Sequence, residues 1–153
     1  MENLIGIIPN EILIMAISMI PVIELRGAIP VAFAMGMEWW KALILCVIGN
    51  LVPVPFVVVY MRPLFNFFRK SRFFVGIIEW LEKRTMKKAD TVLKYSAIAL
   101  FAFVAIPLPG TGAWTGAMIA AILGMRLKHA MPAITLGVLT AGVLMSMLSG
   151  VIF

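Results

Sequence analysis

Pro21-Val22-Ile23-Glu24-Leu25-Arg26-Gly27-Ala28-Ile29-Pro30 sets a carboxylate and a guanidinium two residues apart inside apolar sequence. Mostly apolar residues run from 4 to 23 before the pair and from 28 to 37 after it. The prolines and Gly27 disfavour a continuous helix through this stretch. In lipid, a broken backbone needs protein or a wet cavity to receive its freed N–H and C=O groups. On insertion scales an ion at mid-bilayer costs about 2.5–3.5 kcal/mol. A chain keeps such residues when they pair, reach water or work. A second break follows at Pro107-Leu108-Pro109-Gly110-Thr111-Gly112-Ala113-Trp114-Thr115-Gly116-Ala117, this time without charge. Paired breaks in the two halves of a chain point to a transporter's binding site.

Composition sets the class. Of 153 residues, 63% are hydrophobic and 13% charged, and mean hydropathy is +1.07. A soluble domain of this length could not hide so much apolar surface, which predicts an integral membrane protein built as one unit. The net charge of +6 comes from clustered basic residues, which fits lipid headgroups and not nucleic acid. A single cysteine, Cys46, excludes an internal disulfide and a cysteine metal site. The lone His129 cannot build a metal centre. Glu2, where a basic region would stand, argues against a cleavable signal.

The chain reads as two halves around a basic middle. The run 28–37 is ten residues, roughly 15 Å as helix, which is about half a hydrocarbon core. It cannot cross alone, so 8–37 is expected to form a re-entrant helical hairpin with its tip near 21–30. Residues 42–61 then span the membrane, giving a first repeat over 4–61. Residues 62–94 are charged. Residues 95–125 repeat the hairpin and 130–152 the spanning helix, giving a second repeat over 95–153. The fold class expected is therefore all-α: two inverted repeats, each a re-entrant hairpin plus a transmembrane helix.

Sliding the chain on itself by 88 residues supports the repeat. Pro21 meets Pro109, Ala32 meets Ala120, Gly36 meets Gly124, Met37 meets Met125, Ala42 meets Ala130 and Gly49 meets Gly137. Ala28, Ala32 and Gly36 align with Gly116, Ala120 and Gly124, a small residue every fourth position that lets helices approach closely. Two ordinary packing faces without common origin would give the same pattern.

Charge gives the orientation. All but two of the 13 Lys and Arg residues fall on one side of this arrangement; Lys41 lies opposite and Arg26 inside. The positive-inside rule places the central segment in the cytoplasm and both termini outside a cell membrane. Within that segment Leu64, Phe67, Phe68, Phe74, Ile77, Ile78 and Leu81 recur at helical steps among basic residues, as in an interfacial helix that binds anionic headgroups. Glu38-Trp39-Trp40-Lys41 and Arg126-Leu127-Lys128-His129 read as interfacial clusters.

Chemistry concentrates at the two breaks. Two apart, Glu24 and Arg26 would not face each other on a helix. Glu24 can take and release a proton, and Arg26 can hold a phosphate or carboxylate with two parallel bonds. Alternatively, the pair pins the hairpin tip. Gly110, Thr111 and Gly112 offer backbone N–H groups, and a helix starting near Ala113 would aim its positive end at an anion. Equally, the glycines serve only the turn. Thr111 and Thr115 can add hydroxyls, and Trp114 lines the site or packs. The candidate proton and substrate site is thus Glu24, Arg26, Gly27 and Pro30 with Pro107, Pro109, Gly110, Thr111, Gly112, Trp114 and Thr115. Asn50, near Pro53 and Pro55, is read as serving carbonyls freed by a kink.

Glu24-Leu25-Arg26-Gly27-Ala28-Ile29-Pro30 and the whole 107–117 stretch resemble the signatures of the small multidrug export protein family, and at greater distance the DedA/VTT superfamily. The resemblance covers essentially the whole chain. It implies paired re-entrant loops in inverted repeats and a homodimer. For DedA-type proteins it implies proton-dependent lipid-carrier translocation or lipid scrambling, with acidic and arginine residues at the re-entrant tips. Glu24 and Arg26 match at the first tip; the second lacks the arginine DedA proteins carry there. The four-helix small multidrug resistance family is a different pattern, without the basic midsection or the glycine-rich second stretch.

These readings predict a small transporter that moves an amphipathic or anionic substrate, such as a phospholipid or lipid-linked phosphate, by proton coupling through Glu24. Arg26 and the Gly110–Gly112 backbone would receive the anionic group. The rivals are proton-coupled export of cationic compounds and a non-transporting, scramblase-like or assembly role. No nucleophile–base set or metal cluster suggests an enzyme, and no cofactor is expected. The partners expected are membrane lipids and a second copy of the chain.

Overall fold

Apolar runs become helices in the computed structural model, and the break expected over 21–30 narrows to a turn at 20–23, because a helix runs from Glu24 through Gly27 and Pro30. The structure describes residues 9–68, 89–108 and 110–152, with side chains for 9–63, 95–108 and 110–150. Pro109, residues 4–8 and most of the basic middle lie outside the described residues. So do the side chains on which the interfacial-helix reading of that middle rests.

Seven helices form the described chain: α1 Asn10–Met19, α2 Glu24–Ala34, α3 Trp39–Leu51, α4 Pro53–Phe68, α5 Ala89–Ala105, α6 Ala113–Ile122 and α7 Leu127–Ile152. No strand occurs among the described residues. Two stretches, Trp39–Pro63 with 25 residues and Leu127–Gly150 with 24, are long and apolar enough to cross a membrane. The expected span at 42–61 thus starts earlier, at Trp39, and α7 begins at Leu127 instead of 130. The first stretch is interrupted at Val52, because Pro53 and Pro55 have no N–H for the helical ladder. By contrast α1 and α6 have 10 residues and α2 has 11, each roughly half a hydrocarbon core in length.

Each short helix leans on a longer one. α1 packs on α2 and α3, and α5 packs on α7 and α6; α2 crosses to α7, α6 crosses to α4, and α3 lies against α7. Small residues make these approaches possible. Ala28, Ala32, Ala42, Ala113, Ala117, Ala120 and Ala130 are wholly buried, among Ile14, Ile29, Ile134, Val54 and Val58. A side chain on Gly49 would run into the Met15 carbonyl and Ser18, and one on Gly116 or Gly137 into Val104. Beside Gly49, the Ser18 hydroxyl donates to the Cys46 carbonyl at 2.8 Å. Large apolar residues such as Val22, Phe56, Tyr60, Leu136 and Met147 face outward. In lipid, close packing of small residues holds helices where a hydrophobic drive between them is lacking.

Gly36 and Gly124 differ from the ridge expected for them. Both hold left-handed backbone, φ 74° and 64°, and nothing lies within 4 Å of where a side chain would begin. They end helices. After α2, Met37 N–H bonds the Ala32 carbonyl and Gly36 N–H the Phe33 carbonyl; after α6, Met125 bonds Ala120 and Gly124 bonds Ala121. This is the glycine-ended C-terminal turn, made twice, 88 residues apart. The packing ridge therefore consists of Ala28 and Ala32 with Gly116 and Ala120.

Candidate functional site

The turn Ile20–Ile23 reverses the chain so that α2 begins at Glu24. Glu24 has φ 49°, the positive-φ non-glycine among the described residues. Such a residue costs about 1–3 kcal/mol unless its surroundings hold it, and such strain gathers at ligand clamps and switches. Here its N–H bonds the Ile20 carbonyl at 2.9 Å, and its side chain is 5% exposed.

The carboxylate lies on the N-terminus of α6. Trp114 N–H donates to Glu24 Oε1 at 3.2 Å. The first N–H groups of a helix lack partners within it and carry its positive dipole end. Gly112 is required here for space alone: its φ is 175°, extended backbone, but any side chain would collide with the Glu24 carboxylate. A helix begins at Ala113, where one was expected, and the protein's own carboxylate sits on its N-terminus.

Arg26 serves the opposite pole. α5 stops at Ala105, before Pro107, leaving carbonyls without helical donors. Arg26 Nη1 donates to the Leu108 carbonyl, and Nη2 donates to the Ile106 carbonyl at 3.1 Å and to Thr111 Oγ1 at 2.9 Å. Thr111 Oγ1 also lies 2.7 Å from the Ile106 carbonyl and 2.9 Å from that of Leu108. A guanidinium at a helix C-terminus complements the negative dipole end. Glu24 and Arg26 form no ion pair within 4.0 Å; among the described residues that contact joins exposed Lys41 to Glu38. Each charge of the pair instead answers one end of the second break.

Trp114 reaches the other way. Its indole Nε1 donates to the Met19 carbonyl at 3.1 Å, the last residue of α1. The two breaks thus grip each other: Arg26 takes the carbonyl end of α5 and Trp114 that of α1. Arg26 and Trp114 are 88 residues apart, as are Glu24 and Gly112, which touch.

The remaining candidates fall around this grip. Pro107 and Gly110 lie in the second break, Gly110 with φ 87°. Gly27, in the first turns of α2, leaves room for the Ile23 side chain. Pro30 lies inside α2, which continues through it, and Thr115 lies half-buried on α6.

A narrow crevice runs beneath, lined by Glu24, Leu25, Arg26, Asn50, Val104, Gly112, Ala113, Val138 and Ala141. Asn50 belongs to it, which the kink reading missed. It is wholly buried, and neither Oδ1 nor Nδ2 has a partner. An amide inside an otherwise apolar helix was the available signal; what it would face could be read only from the fold. Among the described residues no group of three or more His, Cys, Asp or Glu is placed to hold a metal.

A family model described as "Putative small multi-drug export protein" matches residues 24–144, from Glu24 through both breaks. No curated protein and no solved structure matches the chain.

Proposed function

The chain belongs to the small multi-drug export protein family, and from that premise we propose that it is a proton-coupled membrane transporter of an amphipathic or anionic substrate, a phospholipid or lipid-linked phosphate. The observation that carries this reading is the Glu24 carboxylate on the N–H of Trp114. A carboxylate there is itself the bound anion. Once it takes a proton, its attraction to the helix end weakens, and the freed N–H groups can receive a substrate phosphate or carboxylate. Loss of the proton restores the carboxylate and displaces the substrate. One site then alternates between the protein's anion and the substrate's. Arg26 holds the break in shape and supplies the positive field around it.

The architecture proposed for this exchange is a pair of inverted repeats, each a re-entrant hairpin and a spanning helix, with the basic segment cytoplasmic and two copies forming the working unit. Four relations 88 residues apart support the repeat: Glu24 touching Gly112, Arg26 and Trp114 gripping opposite helices, matching glycine-ended turns at Gly36 and Gly124, and burial of both Gly49 and Gly137. The lengths of α1, α2 and α6 support hairpins that return to their own side. Discontinuous helices meeting at mid-membrane are a recurrent transporter site.

The experiment is reconstitution in liposomes with a fluorescent phospholipid and an imposed pH gradient. Net lipid movement that follows the gradient in wild type and is lost in Glu24→Gln supports the reading. Movement indifferent to the gradient would instead mark a scramblase-like protein.

The family description favours a second reading, export of cationic compounds with Glu24 shared between proton and drug. The same liposomes loaded with a fluorescent cation discriminate it: gradient-driven cation movement with no lipid movement selects this reading.

A further inference from the structure

Asn50 is the polar group in the crevice that the grip between the two breaks leaves unused. Its carboxamide is wholly buried, and both of its polar atoms lack a partner. A buried unpaired polar atom costs about 1–3 kcal/mol. Native chains keep such groups for a reason, often a functional one.

The inventory of bonds around Glu24 says what Asn50 can do. As a carboxylate, Glu24 only accepts, and the Trp114 N–H of α6 suits it. As a carboxylic acid it gains an O–H donor, which no N–H of α6 can accept. The acceptors that the fold itself offers in the crevice are those of its lining residues. Helix α2 contributes Arg26, which has donors only and whose Nε is likewise unpartnered. α5 contributes Val104, α6 Gly112 and Ala113, and α7 Val138 and Ala141, none of them titratable. From α3 comes Asn50, and its Oδ1 is the unfilled side-chain acceptor lining the crevice.

We infer that Asn50 is the docking partner of protonated Glu24: on taking a proton, the carboxyl turns from the N-terminus of α6 to the Asn50 carboxamide, vacating the helix end. The proton comes from the aqueous phase, adds to one carboxylate oxygen, and is held in an O–H···Oδ1 bond until it leaves. This rests on Glu24 being the proton site. It adds the second position of the switch and makes Asn50 a positioning residue. The asymmetry across the repeat fits this role: 88 residues on from Asn50 stands Val138, also lining the crevice, so one half holds the switch and the other a smooth wall.

The test is infrared difference spectroscopy of the full-length protein in lipid, between high and low pH. A protonated-carboxyl band lost in Glu24→Gln identifies the acid. In Asn50→Leu and Asn50→Val that band should move to the higher frequency of a carboxyl without an acceptor. In wild type with carboxamide-labelled asparagine, an isotope-shifted amide band should appear in the same difference spectrum and vanish in Glu24→Gln. A Glu24 band at the same frequency in wild type and an Asn50 variant, or a labelled wild type with no asparagine band, overturns the role of Asn50 and leaves the proton site standing. Absence of any pH-dependent band sensitive to Glu24→Gln overturns the proton site itself, and this inference with it.

Discussion

Trp114 donates its backbone N–H to the carboxylate of Glu24 at 3.2 Å, across 90 residues of sequence. The bond puts the charge of one break on the helix end of the other. From it follows a physical reason for residues otherwise costly in a membrane: Glu24 and Arg26 answer the two poles of a broken helix.

Gly112 has no side chain because the Glu24 carboxylate fills that space. Gly112→Ala should destabilise the protein by about 1–3 kcal/mol, the usual cost of overpacking. Glu24→Ala removes the obstacle, so the double variant should be less destabilised than the sum of the two singles. Thermal unfolding of all four proteins in one detergent measures the coupling. Strict additivity would mean that glycine is needed there for another reason.

Arg26 satisfies carbonyls that α5 and the second break leave exposed. Both carbonyls also accept a backbone N–H, Ile106 from Leu108 and Leu108 from Thr111. Arg26→Gln therefore removes charge-assisted bonds without orphaning an acceptor and should cost about 1.5–3 kcal/mol. Arg26→Lys keeps the charge but not the two-pronged fork, so it should rescue only part of the loss. Glu24→Gln keeps an oxygen acceptor for Trp114 and should melt closer to wild type than Arg26→Gln. The order of melting temperatures checks this.

Much of the arrangement was legible in the chain, for identifiable reasons. Proline and glycine mark breaks, and membrane charges are rare enough to stand out, so both breaks and the Glu24/Arg26 pair were visible. The spacing of 88 also brought Gly36 over Gly124. What could not be read was partnership. The anion expected at α6 turns out to be Glu24 because the turn at 20–23 aims it there, a matter of tertiary geometry. Small residues look alike in sequence whether they pack or turn, so Gly124 was grouped with Gly116 although only Gly116 is crowded.

That difference predicts two behaviours. Gly116→Leu pushes into Val104 and should weaken the contacts of α6 with α5 and α7, with a large fall in melting temperature. Gly124→Ala meets no atom but must hold φ 64°, which costs about 1–2 kcal/mol in an L-residue. Gly36→Ala should cost the same by the same argument. Equal, large losses in Gly116→Leu and Gly124→Ala would contradict the distinction.

Coupling of proton and substrate at Glu24 is the central claim, and comparing driven transport with exchange in liposomes tests it most directly. In wild type, a pH gradient should drive net movement of the substrate phospholipid, and labelled lipid should also exchange without a gradient. Gln at 24 cannot carry the proton cycle, so Glu24→Gln should lose the gradient-driven part while labelled lipid still exchanges. Gradient-driven movement at wild-type rate in Glu24→Gln would contradict the account.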